Sequence, residues 1–84
     1  MKESDHFLLM LQERLINRDW VLRTLENPDG MEQHADGTKH FIKKIFEKDN
    51  RWLRVIVNIS VIPNVYVTVF FDRRLRRENE NRIR

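Results

Sequence analysis

The sequence predicts an α+β fold: two N-terminal helices packed on one face of a four-stranded antiparallel sheet, with a basic tail behind. Three observations predict it. Apolar residues recur at helical spacing up to about residue 26. From residue 31 the pattern changes to alternation. Turn signals at Asp36-Gly37, Asp49-Asn50 and Pro63-Asn64 then divide the second half into four short runs. The order is ααββββ, with the helices on one side of an antiparallel sheet.

The first helix is expected over residues 5–15. Ser4 or Asp5 can cap it by accepting from an unpaired backbone N–H of the first turn. Phe7, Leu8, Leu11 and Leu15 fall on one stripe. A second helix fits 18–26, with Asn17 as its cap and Trp20, Val21, Leu22 and Leu25 as its apolar positions. Asn27-Pro28-Asp29-Gly30 ends it, because the residue before proline is pushed out of the helical region and glycine permits a turn. Asp36-Gly37 is a hairpin signal between strands at 31–35 and 38–46. In 52–59, Leu53, Val55, Val57 and Ile59 share a face, and Trp52, Arg54, Ile56 and Asn58 the other. In 65–71, Val65, Val67, Val69 and Phe71 oppose Tyr66, Thr68 and Phe70. The aliphatic faces are expected to meet the helices. The tail from Asp72 holds six Arg and three acids, as a short helix near 72–78 or a frayed end.

Length and composition limit the function classes. Eighty-four residues make a single domain, 1–84, with one modest core. The apolar fraction of 40% against 35% charged residues describes a folded chain rather than a disordered one. No apolar run approaches the roughly 20 residues of a membrane span. The start MKESDHF turns polar where a signal peptide would turn apolar, so the cytoplasm is the expected location. With no cysteine, disulfides, thiolate nucleophiles and cysteine zinc sites are excluded. Charge is segregated. Residues 1–36 carry four Lys/Arg against eight Asp/Glu, and residues 37–84 carry twelve against five. A basic half suggests an anionic partner, nucleic acid or an acidic protein; a solvated basic surface is the alternative.

The sheet face turned from the helices is expected to display Trp52, Arg54, Tyr66, Thr68 and Phe70. The strand at 38–46 adds either His40, Ile42, Lys44 and Phe46, or Phe41, Lys43 and Ile45, because a one-residue slip exchanges the two sets. Aromatics mixed with cations suit RNA, whose unstacked bases lie on rings while Arg and Lys meet phosphates. Ordinary cross-strand packing is the plainer reading. Metal-independent RNA cleavage needs a base for the 2′-hydroxyl, a cation for the phosphate and an acid for the leaving oxygen. His6, His34 and His40 are the histidines. His6 lies opposite the apolar stripe near Glu13, His34 beside the hairpin turn facing solvent, and His40 within the strand, which makes it the favoured site member. No local spacing marks a metal site, no cofactor is expected, and no phosphate-binding loop or nucleophile elbow is present.

The opening His6-x7-Arg14, with Ile16, Val21, Leu25 and Asn27-Pro28-Asp29, resembles the bacterial domain-of-unknown-function family 4258. So does Arg54-Val55-Ile56-Val57 followed by Val67-Thr68-Val69-Phe70. In that family a His-bearing helix carries a Glu-Arg pair, here Glu13-Arg14, and an Arg often follows the His by four residues, where this chain has Met10. The resemblance covers about residues 5–71. The pattern of helices, sheet and basic tail is similar in turn to RelE/ParE-type toxins, whose RelE branch cuts messenger RNA without a metal and whose ParE branch targets gyrase.

These likenesses imply a RelE-like fold and a toxin-like endoribonuclease held by an acidic antitoxin-like protein, with RNA, free or on the ribosome, as target. Arg54 and Lys44 would bind phosphate, and His40 or His6 would act as base or acid. Tyr66 and Trp52 would stack bases and Thr68 would orient a phosphate oxygen. Lys43, Arg73, Arg74, Arg76 and Arg77 would hold the RNA backbone. The rival expectations are a non-catalytic protein-interaction module, homodimeric through its open sheet face, and a plain nucleic-acid binder.

Overall fold

The computed structural model describes residues 2–75, and the expectations for Arg76 and Arg77 lie outside the described residues. The chain is α+β, as the periodicities require. Helix α1 (Asp5–Glu13) starts at Ser4, whose hydroxyl accepts from the Phe7 N–H at 3.0 Å and donates to the Val67 carbonyl at 3.1 Å. One side chain thus caps the helix and fastens it to the sheet. Helix α2 (Arg18–Glu26) starts at Asn17, whose side-chain oxygen accepts from the Asp19 N–H at 2.8 Å.

The first helix stops two residues before the expected end. Leu15 takes a left-handed φ of 52°, and the Leu15 and Ile16 N–H groups reach back to the Gln12 and Leu11 carbonyls at 3.4 and 2.9 Å. This is a Schellman ending, formed with leucine where glycine is usual. It turns Leu15 into solvent, 79% exposed, and brings Ile16 into the core. The buried stripe of α1 is Phe7, Met10 and Leu11, with Leu8 partly exposed. In α2, Val21 and Thr24 are buried, Trp20 and Leu25 pack at the edge of the core, and Leu22 is exposed.

The sheet has five strands, not four, and is mixed. Strands β2 (Gly30–Gln33), β3 (Thr38–Ile45), β4 (Arg51–Asn58) and β5 (Val65–Phe71) form the antiparallel part. Strand β1 (Lys2–Glu3) lies parallel to β5, so the order is β1-β5-β4-β3-β2. Two residues of Lys-Glu carry no alternation to read. Their place is set by backbone bonds, Lys2 N–H to Asn64 at 2.9 Å and Ser4 N–H to Tyr66 at 3.1 Å. A 3-10 turn at Phe46–Lys48, followed by Asp49 and Asn50 at left-handed φ, joins β3 to β4.

The helices cover one face, where Phe7, Leu11, Ile16 and Val21 meet Ile45, Leu53, Val55, Val57 and Val69. The phase of β3 is settled: His40 stands opposite Ile56, Ile42 opposite Arg54 and Lys44 opposite Trp52, all on the far face. Strand β5 departs from strict alternation. Ile56 pairs with Thr68 but Val57 with Tyr66, so Val67 is the extra residue of a bulge. Beyond the bulge the phase reverses and Tyr66 turns to the helix side. Among the described residues no helix is long and apolar enough to cross a membrane.

Candidate functional site

On the face away from the helices, strand pairing sets Glu32, His40, Ile56 and Thr68 in one row across four strands. Gly30, Ile42, Arg54 and Phe70 form the adjacent row. The hairpin makes the first row. Asp36 accepts from the Thr38 N–H at 3.0 Å, and Gly37 takes a φ of 86°. That turn sets Glu32 directly opposite His40. His34 projects beside them, its ring stacked on that of His40 with centroids 3.8 Å apart and planes at 15°.

Arg54 ties the cluster together. Its Nη1 donates to Glu32 Oε1 at 3.0 Å and to His40 Nδ1 at 2.8 Å, while Nε donates to Asp72 Oδ2 at 2.9 Å. Asp72 is fixed in turn: its N–H donates to the Trp52 carbonyl at 2.8 Å and its Oδ1 accepts from the Arg74 N–H at 3.0 Å. The guanidinium is thus compensated by two carboxylates and only 8% exposed, where an open phosphate binder was expected.

The donors decide the tautomers. Arg54 only donates, so His40 Nδ1 accepts, and the neutral ring carries its hydrogen on Nε2. That N–H faces Thr38 Oγ1 at 3.3 Å, and the Thr38 hydroxyl donates to Asp36 Oδ1 at 2.6 Å. Burial, followed by the neighbouring His34 and Arg54, holds the His40 pKa below its usual value and favours this neutral form. His34 Nε2 lies 3.1 Å from Glu32 Oε1, which can only accept when ionised. The neutral His34 ring therefore keeps its lone pair on Nδ1. Hydrogen bonds from Arg54 and then His34 lower the Glu32 pKa, so its carboxylate stays charged. The Thr38 hydroxyl does the same for Asp36.

Of the residues expected in the site, His40 and Arg54 are together. Lys44 lies on the same face, its Nζ 5.9 Å from the centre of the Trp52 ring. Thr68 ends the row at the sheet edge, where its hydroxyl is 3.1 Å from His6 Nε2. His6 and Thr68 thus form a separate pair, two strands from His40. The placement of Tyr66 beside Arg54 and Thr68 is corrected by the bulge: Tyr66 packs on Phe7 with ring centres 5.2 Å apart, and burial raises its pKa. Lys43 also faces the helices, donating to the Asn27 carbonyl at 2.9 Å. Arg73 and Arg74 are exposed just past β5.

Sequence reasoning missed Glu32, His34 and Asp72. A signal existed for the first two, since a turn centred on Asp36-Gly37 brings residue 32 opposite 40. Glu32, His34 and His40 offer donor atoms within 4.8 Å of one another, a convergence that no local spacing announces because it crosses two strands. The profile described as Domain of unknown function (DUF4258) matches residues 4–71, from the cap of α1 to the end of β5. The chain belongs to this family. The match takes in every member of the cluster except Asp72, so the site lies within the family domain. No curated protein and no solved structure gives a significant match.

Proposed function

We propose that this DUF4258 chain is a metal-independent endoribonuclease of the RelE toxin type, cytoplasmic and neutralised by an acidic antitoxin-like protein. The observation that carries the proposal is the Glu32–His34 dyad, held by Arg54 at the exposed end of the row. A carboxylate that accepts from one imidazole nitrogen orients the ring and strengthens the base at the other. His34, 41% exposed at its side chain, takes the 2′-hydroxyl proton on Nδ1. The freed 2′-oxygen attacks phosphorus, and the 5′-oxygen leaves with a proton from solvent. Arg54 acts as a positioning residue, because its own charge is already spent on Glu32 and Asp72. Lys44, Arg73 and Arg74 meet neighbouring phosphates and Trp52 stacks a base. The basic second half supports this reading and matches an acidic antitoxin.

The test is cleavage of RNA by the purified chain with a chelator present. His34→Ala is expected to slow cleavage by about 10²–10⁴-fold. Expression in a bacterial host is expected to arrest growth, and the same variant to relieve it. Intact RNA with the unaltered chain ends the proposal. One observation favours a second reading, a protein-interaction module: Leu8, Leu9 and Leu22 on the helices and Leu15 in the turn between them are exposed. A stable homodimer in size-exclusion chromatography, together with intact RNA, would select it.

A further inference from the structure

We infer that Glu32, His34 and His40 form a binding site for one divalent transition-metal ion of the Zn²⁺ class. The ligand set is the product of hairpin register. Glu32 faces His40 across the β2–β3 pair, and His34 follows Glu32 by two residues. Their donor atoms already lie within 4.8 Å of one another. Glu32 Oε1 and His34 Nε2 are 3.1 Å apart, close to the roughly 3.3 Å that tetrahedral zinc with 2.0–2.1 Å bonds imposes on neighbouring ligands.

Two further features fit a metal. The first is that the donors are already arranged about a positive charge. Arg54 Nη1 stands 2.8 Å from His40 Nδ1 and 3.0 Å from Glu32 Oε1, the position an ion would take between them. The second is the outer support of His40. Metal-bound histidines donate their other N–H to a fixed acceptor, which sets the tautomer and the ring orientation. His40 has that arrangement before any ion arrives: Nε2 faces Thr38, and Thr38 donates to Asp36.

Loading the site takes three local changes. The His34 ring tilts out of its stack on His40, so that both rings can aim a nitrogen lone pair at one ion. Arg54 Nη1 withdraws from the two donors, and the guanidinium turns toward Asp72, its partner through Nε. His34 moves its hydrogen to Nδ1 and ligates through Nε2, while water completes the coordination. Imidazole with carboxylate selects Zn²⁺, Co²⁺ or Ni²⁺ over Mg²⁺ and Ca²⁺, which prefer oxygen alone. An ion seated here takes the atoms assigned to the Glu32–His34 dyad and blocks cleavage. That consequence rests on the ribonuclease reading, whereas the binding itself does not.

The experiment titrates the untagged full chain with Zn²⁺ by calorimetry and with Co²⁺ by visible absorption, at neutral pH. One ion per chain is expected, with no binding of Mg²⁺. His34→Asn and Glu32→Gln, both at exposed positions, are each expected to weaken binding by about tenfold or more, with circular dichroism unchanged. His6→Asn is expected to bind as the unaltered chain does, and Arg54→Lys to bind more tightly because the competing guanidinium is gone. Absence of Zn²⁺ binding, or unaltered binding by His34→Asn, overturns the inference. RNA cleavage measured separately in chelator keeps the two readings apart: bound Zn²⁺ with intact RNA removes the ribonuclease and leaves the metal site.

Discussion

Arg54 and Asp72 form the most buried ion pair among the described residues. Their side chains are 9% and 6% exposed, and they meet at 2.9 Å. Removing one partner of such a pair leaves a buried charge without compensation, which costs far more than the pair itself contributes. Asp72→Ala is therefore expected to lower the unfolding free energy by about 3 kcal/mol. Glu32 remains to Arg54 but is half-exposed and cannot replace a buried carboxylate. Adding Arg54→Met is expected to return much of the loss, because an apolar replacement for both partners removes the stranded charge. Urea denaturation of the two variants measures this. Equal stability of single and double variants would show that solvent already reaches Arg54. Arg54 was legible as a site residue from its place on a polar strand face. Asp72 was not, since it lies past the strand end, where no alternation applies.

At the scale of elements, the ending of α1 is the strained point. Leu15 adopts a left-handed φ of 52° that costs a residue with a Cβ about 1–2 kcal/mol, and its side chain is out in solvent. Leu15→Gly removes that strain, partly offset by the greater freedom of glycine in the unfolded chain. The net expectation is a gain of about 0.5–1 kcal/mol, read as a higher melting temperature. Gly37→Ala is the converse. At φ 86° an added Cβ would lie 3.0 Å from the Ser60 hydroxyl, so a loss of about 1 kcal/mol or more is expected in the same measurement. These two turns also show what could be read in advance. Asp36-Gly37 announced itself by composition. The turn at residues 14–16 has no Gly or Pro, so the apolar Leu15 looked like one more helical position. The bulge at Val67 was hidden for the same reason. Valine at 65, 67 and 69 satisfies strict alternation, and only the pairing with β4 shows that one of them is extra. That single extra residue moved Tyr66 away from Arg54, which is why the expected site kept Trp52 and lost Tyr66.

Across the whole molecule, helix and sheet layers are joined by an ion pair that runs against the charge asymmetry of the chain, its cation in the acidic half and its carboxylate in the basic half. Helix α2 is joined to the turn after β3 by Arg23 and Glu47, a bidentate pair that also draws in Asp19. Hydrogen bonding from Arg23 holds the Glu47 pKa below its ordinary 4.5. A carboxylate with a lowered folded pKa binds protons more readily in the unfolded chain, so its contribution is present above about pH 4.5 and is lost as pH falls through the folded value. Exposed pairs contribute little singly, and solvent and salt screen this one. The prediction is therefore a difference rather than an absolute stability. The gap between the unaltered chain and Glu47→Gln, from urea midpoints, is expected to be positive at neutral pH. It is expected to shrink toward zero as the solution is made acid, and to narrow at high salt. A gap that stays constant throughout the acid range would show that Glu47 acts through packing alone, and that the layers are held by the apolar core without help from the pair.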